Sequence, residues 1–124
     1  MIVRCVILGE PASKANSRQL VTISGRPAFI KSKKARDFER SAALQVRSVT
    51  PLIEGPVRAT IRIFYASHRP DLDESVVLDV LQGKVYANDR QVREKHVFHS
   101  IDKANPRAEI TIEPLQAQQQ EIAA

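Results

Sequence analysis

Ten residues in the middle of the chain constrain the fold most. From Val57 to Ala66 the sequence alternates: Val57, Ala59, Ile61, Ile63 and Tyr65 fall on one side, Arg58, Thr60, Arg62 and Phe64 on the other. Successive side chains of a strand point to opposite faces, so this stretch predicts a strand with one buried and one open face. Such a strand needs partners and a covering layer, and the flanking sequence supplies both.

Ile2–Leu8 is short, apolar and rich in β-branched residues. It predicts a strand stopped by Gly9–Pro11, with Cys5 as a small core residue. Residues 12–18 (ASKANSR) read as a basic loop. Leu20–Ser24 and Ala28–Lys31 flank Gly25-Arg26-Pro27 and predict a hairpin or tight turn there. Ser32 is placed to cap a helix running to about Val49, with Ala35, Phe38, Ala42, Val46 and Val49 as its apolar stripe. Lys33, Arg36, Arg40 and Arg47 form a second, cationic stripe. Asp73 is placed to cap a short helix, Glu74–Gln82, with Leu72 and Val77 as a hydrophobic staple and Gly83 as the stop. Glu94–Ile101 and Arg107–Glu113 predict two more strands about a turn at Asp102–Pro106. The order is β, hairpin, α, β, α, β, β. It predicts a single α+β domain over residues 1–114: a mixed sheet with two main helices on one side. The Gln- and Ala-rich tail, residues 115–124, reads as frayed helix or flexible chain.

At 124 residues the chain has room for one core and one domain. Aromatics are 5% with no Trp, so that core rests on Val, Ile, Leu and Ala. No apolar run reaches the ~18–20 residues that span a bilayer. The opening MIVRCVILGE is too short and too interrupted for a secretory signal. A single cysteine excludes an internal disulfide. The expectation is a soluble protein of the cytoplasm with no membrane partner.

Charge is unevenly spread. Residues 1–70 hold thirteen Lys/Arg against four Asp/Glu, a net of +9, and residues 71–124 hold six against ten, a net of −4. A basic binding face beside a carboxylate site accounts for that split. The carboxylates are Asp71, Asp73, Glu74, Asp79 and Asp89, with Lys84 among them. Alternate residues of an extended segment point the same way, so Asp71 and Asp73 can aim at one point. Asp89 joins them if the intervening helix folds back. Hard divalent cations take oxygen ligands of this kind, completed by water and substrate phosphate. The bland reading makes Asp73 a cap, Glu74 a first-turn acid and Asn88-Asp89 turn residues. Against it, crowded carboxylates repel unless a cation or a raised pKa relieves them. From Lys14 to Arg47 nine Lys/Arg face only Asp37 and Glu39, a pattern that suits phosphates as counter-charges. Together the two features describe a metal-dependent enzyme acting on nucleic-acid phosphodiesters. A phosphohydrolase acting on small substrates through Asp71-Leu72-Asp73 is a more distant reading, since a small phosphate needs few cations.

Over roughly residues 6–113 the chain resembles the RusA-like Holliday-junction resolvases of bacteria and their phages. The resemblance rests on four features: the loop from Gly9 to Arg18, the helix after Ser32, Asp71-Leu72-Asp73 followed by Asp79-Val80-Leu81, and Asn88-Asp89-Arg90-Gln91-Val92. It implies a homodimer in the bacterial or phage-infected host cytoplasm that binds four-way DNA junctions. That dimer would nick two strands symmetrically with Mg²⁺, or Mn²⁺ in its place. Carried over by position, Asp71, Asp73 and Asp89 are the catalytic, metal-binding carboxylates, with Glu74 and Asp79 as further metal ligands. Lys14, Asn16, Arg18, Arg26, Lys33, Arg36, Arg40, Arg69 and Lys84 are the candidate DNA contacts. Two departures stand out: Glu74 and Val77 occupy the places of the family's usual Asn and Lys. Lys84 or Arg69 is then the candidate for the missing positive charge. A non-catalytic branched-DNA-binding protein of the same fold is the alternative.

Overall fold

The computed structural model describes residues 1–115. Its elements run β1 (Val3–Leu8), β2 (Arg18–Ile23), β3 (Arg26–Lys31), α1 (Lys33–Gln45), β4 (Val57–Tyr65), α2 (Ser75–Leu81), a single 3-10 turn (Asp89–Gln91), β5 (Val92–Ile101) and β6 (Arg107–Pro114). All of the expected tail beyond Leu115 lies outside the described residues. Four strands form a mixed sheet in the order β1-β6-β4-β5, antiparallel at β1/β6 and β6/β4 and parallel at β4/β5. The β2–β3 pair is a separate two-stranded ribbon. The fold is α+β, as the pattern predicts.

The alternating segment is the central strand β4, and the five residues of its inward row, Val57, Ala59, Ile61, Ile63 and Tyr65, are 0% exposed. They pack with Ile7, Ile110 and Ile112 of the neighbouring strands, Ala35, Phe38 and Ala42 of α1, and five residues of α2. Each large side chain so buried contributes about 1.5–3 kcal/mol relative to exposure. The opposite sheet face is charged and ordered by cations. Arg58 pairs with Glu94 and Glu113, Arg62 lies over the Phe98 ring, and Arg107 lies over Phe64.

Ser32 caps α1 as expected, its Oγ accepting from Ala35 N at 3.1 Å. The helix ends at Gln45, short of Val49, because Val46 turns extended. The Gln45 amide then bonds both Leu8 N (2.7 Å) and Leu8 O (3.1 Å), tying the helix end to strand β1. Arg47 therefore lies off the helix and off its cationic stripe. The hairpin turn is Ser24-Gly25, one residue earlier than expected, with φ of 51° and 77°. A two-residue hairpin of this kind wants two positive φ values, which proline cannot supply. Arg26 and Pro27 accordingly open β3.

Parallel strands need a crossover, and the β4–β5 connection carries α2 and every candidate carboxylate. Its helix starts at Ser75, and Glu74 holds the cap position without a side-chain hydrogen bond. Asp73 Oδ1 instead accepts from Ser75 N at 2.9 Å, because a short carboxylate reaches the amide two residues on.

Candidate active site

The segment after β4 is fastened from below. Tyr65, fully buried at the strand's end, accepts from Asp73 N (3.2 Å) and donates to Asp71 O (3.3 Å). Burial pushes its hydroxyl above the ordinary tyrosine pKa, so it stays a neutral donor. His99 stacks on Tyr65 at 4.7 Å and its Nε2 lies 2.9 Å from Pro70 O. Lys14 N donates to Asp71 O at 3.4 Å, and Ala66 N donates to Glu10 Oε2 at 3.3 Å. Farther along, Lys95 Nζ lies 3.2 Å from Glu74 Oε2. Residues 70–74 thus run back along β5, Pro70 beside His99 and Glu74 beside Lys95.

The second half of the site is held by Gln91. Its Oε1 accepts from Ala87 N (2.9 Å) and Asn88 N (3.0 Å), while its Nε2 donates to Ile53 O and Gly55 O, both at 2.8 Å. Asn88 Oδ1 accepts from Arg90 N, and Asp89 N donates to Gln82 Oε1 at 2.8 Å. The Asn88–Val92 signature is therefore a clamped turn that presents Asp89 with its backbone already satisfied.

Two hollows meet at Glu74. One, of about 240 Å³, is lined by Glu74, Asp79, Asp89 and Lys95. The other, of about 580 Å³, is lined by Lys14, Arg18, Phe29, Asp73 and Glu74. Asp71 lines neither, since a segment extending at ~3.3 Å per residue carries it toward the far end of β5. Asp79 is paired with Lys31 (2.9 Å), which also pairs with Glu39 at 2.5 Å. Burial disfavours the Lys31 charge, but its two carboxylate partners outweigh that and hold its pKa above the ordinary value. Among the described residues Asp71, Asp73 and Asp89 have no ion-pair partner, and no three His, Cys, Asp or Glu side chains are gathered as a metal-holding group.

The cations divide likewise. Lys14 and Arg18 border the larger hollow. Asn16 gives its carbonyl to the Ser32 hydroxyl. Arg26 stands at the hairpin turn and Arg36 is exposed on α1. Lys33 and Arg40 share Asp37, at 2.8 and 3.6 Å. Arg69 lies in the exposed loop before Pro70. Lys84 Nζ points to Val46 O at 3.4 Å, toward the end of α1, and lines neither hollow. The cations that pair with candidate carboxylates are Lys31, on Asp79, and Lys95, on Glu74, and sequence reading missed both as site residues. A signal was available: on β5 Lys95, Val97 and His99 alternate, opposite Ala59, Ile61 and Ile63 of the buried row. Tyr65 and Gln91 were in view, but their hydrogen-bonding roles need the folded chain.

A model of the family described as endodeoxyribonuclease RusA matches residues 9–113. The chain belongs to the RusA endodeoxyribonuclease family. The match takes in both hollows, the hairpin and both helices. RusA membership brings nuclease activity, DNA binding and the Holliday junction as the DNA acted on. No curated protein matches the sequence. No helix among the described residues is long and apolar enough to cross a membrane.

Proposed function

We propose that the chain is a Mg²⁺-dependent, structure-selective endonuclease, working as a homodimer, that resolves four-way junctions by paired symmetric nicks. The observation that carries this reading is Glu74, the wall shared by a carboxylate hollow and a cation-lined one. The donor set suits Mg²⁺, an all-oxygen ion that takes one or two carboxylates and completes its shell with water and substrate phosphate. Glu74 and Asp89, which line one hollow, would hold it, with Asp79 engaged by Lys31 and Asp71 and Asp73 on the adjoining segment; Mn²⁺ would serve in its place. A bound ion supplies Lewis-acid polarisation of the scissile phosphate and activation of water. The chain's own groups do the rest. Lys14 and Arg18 hold the DNA backbone beside the carboxylates, Tyr65 fixes the Asp71–Asp73 backbone, and Gln91 fixes Asp89. A twofold partner would carry the same site to the second strand.

One observation favours a second reading, a branched-DNA-binding protein without cleavage. Val77, at the place where the family resemblance expects a lysine, is 0% exposed and belongs to the core. Cleavage of an immobile four-way junction with Mg²⁺, beside linear duplex, separates the two. The nuclease reading expects paired nicks near the branch point that Asp89→Asn and Asp73→Asn abolish. Tight binding with no cutting under Mg²⁺ or Mn²⁺ supports the second.

A further inference from the structure

Glu74 is oriented from outside its own helix. It occupies the cap position of α2 yet makes no cap hydrogen bond, while Asp73 accepts from the Ser75 amide. Its partner is Lys95, on edge strand β5 and far away in sequence. The lysine stem lies on the covered face of the sheet, opposite fully buried Ala59, while Glu94 and His96 pair with each other on the other face at 2.7 Å. The Lys95 side chain is 48% exposed and Glu74's 21%. A pair this open adds little to stability, so stability alone does not account for it. What it does accomplish is directional: the ammonium draws the carboxylate toward the hollow lined by Asp79 and Asp89. Lys31 holds Asp79 in a comparable way from the ribbon, so two of the three carboxylates around the hollow are each steadied by a lysine.

The geometry points to Lys95 as a positioning residue that holds the Glu74 carboxylate at the hollow it shares with Asp79 and Asp89. The consequence for cleavage rests on the function proposed above; the positioning itself does not. Lys95→Met and Lys95→Arg are compared with wild type in single-turnover cleavage at saturating enzyme, in junction affinity and in melting temperature. The ¹³C resonance of the Glu74 carboxyl is followed in the same proteins. Lys95→Met should slow cleavage by about 10- to 100-fold, the range found when a partner orienting a ligand carboxylate is removed. Junction affinity and melting temperature should stay near wild type, and Lys95→Arg should restore most of the rate. Adding Lys95→Met to Glu74→Gln should cost nothing beyond Glu74→Gln alone, since both remove one arrangement. Unchanged cleavage in Lys95→Met, a loss traced wholly to junction affinity, or additive double-mutant effects would overturn the inference. If wild type cuts no junction, the proposed activity fails, and the resonance decides the positioning. A Glu74 carboxyl signal that moves in Lys95→Met and returns in Lys95→Arg supports it, and one that is indifferent to residue 95 overturns it.

Discussion

Replacing Gln91 with glutamate changes one atom's identity and reverses half of the residue's hydrogen bonding. Oε1 keeps its two donors, Ala87 N and Asn88 N, at 2.9 and 3.0 Å. The Nε2 donor to Ile53 O and Gly55 O, both at 2.8 Å, becomes a carboxylate oxygen facing two carbonyls. A net hydrogen bond is worth ~0.5–1.5 kcal/mol, so two lost bonds plus the repulsion predict a destabilisation of about 2–4 kcal/mol at pH 7. In urea that is a midpoint shift on the order of 1–2 M with an unchanged slope. Acid provides an internal check. Carbonyls beside the introduced carboxyl raise its folded pKa above the unfolded ~4.3, so the deficit is full at neutral pH and narrows as protonation restores a donor. Asp89 sits on the clamped turn, so junction cleavage should fall with stability. A Gln91→Glu protein within ~0.5 kcal/mol of wild type at pH 7, the range of an ordinary surface change, would refute the clamp.

Tyr65→Phe removes the hydroxyl that joins Asp73 N to Asp71 O. Urea titration should show a loss of about 1–3 kcal/mol, together with slower junction cleavage; wild-type cleavage would dismiss the tether. The Arg107 hydrogen bond holds the Asp102 carboxyl below its ordinary 3.8, and hydrogen bonds to His96 and then Arg58 hold Glu94 below its ordinary 4.5. Folded pKa values below unfolded ones give stability that is present above the unfolded values and lost as pH falls through the folded ones. The melting temperature should therefore drop below about pH 4, and Asp102→Asn should shallow that drop; an identical acid limb in wild type and variant would contradict it. If Lys14, Arg18, Arg26, Lys33, Arg36 and Arg40 each neutralise a phosphate, junction affinity should fall ~10³-fold or more between 50 and 200 mM salt. A flat salt titration removes the cationic face.

What the sequence made legible was local. The alternation of β4 identified the buried row, the three-and-four spacing placed the buried face of α1, and Ser32 marked its start, because each depends on neighbours within a turn or a pleat. Boundaries decided by distant contacts were displaced. The end of α1 follows from Gln45 reaching strand β1, and the hairpin turn from a backbone geometry that excludes Pro27. The candidate site divides the same way. Asp73, Glu74, Asp79 and Asp89 could be read from the chain, but which of them share a hollow depends on how residues 70–74 run along β5. That path places Glu74 beside Asp89 and carries Asp71 away. Lys84 lies close to the carboxylates in sequence and turns to α1, while Lys95, distant in sequence, meets Glu74 through the parallel register of β4 and β5.

Whether these carboxylates cut DNA at a branch is decided by cleavage of a labelled immobile four-way junction in Mg²⁺, by wild type and by Asp89→Asn. Paired nicks are expected symmetrically about the branch point, absent from linear duplex, and lost in Asp89→Asn while junction binding persists. Intact junction after incubation with well-folded, tightly bound wild type, in Mg²⁺ and in Mn²⁺ alike, would contradict that expectation.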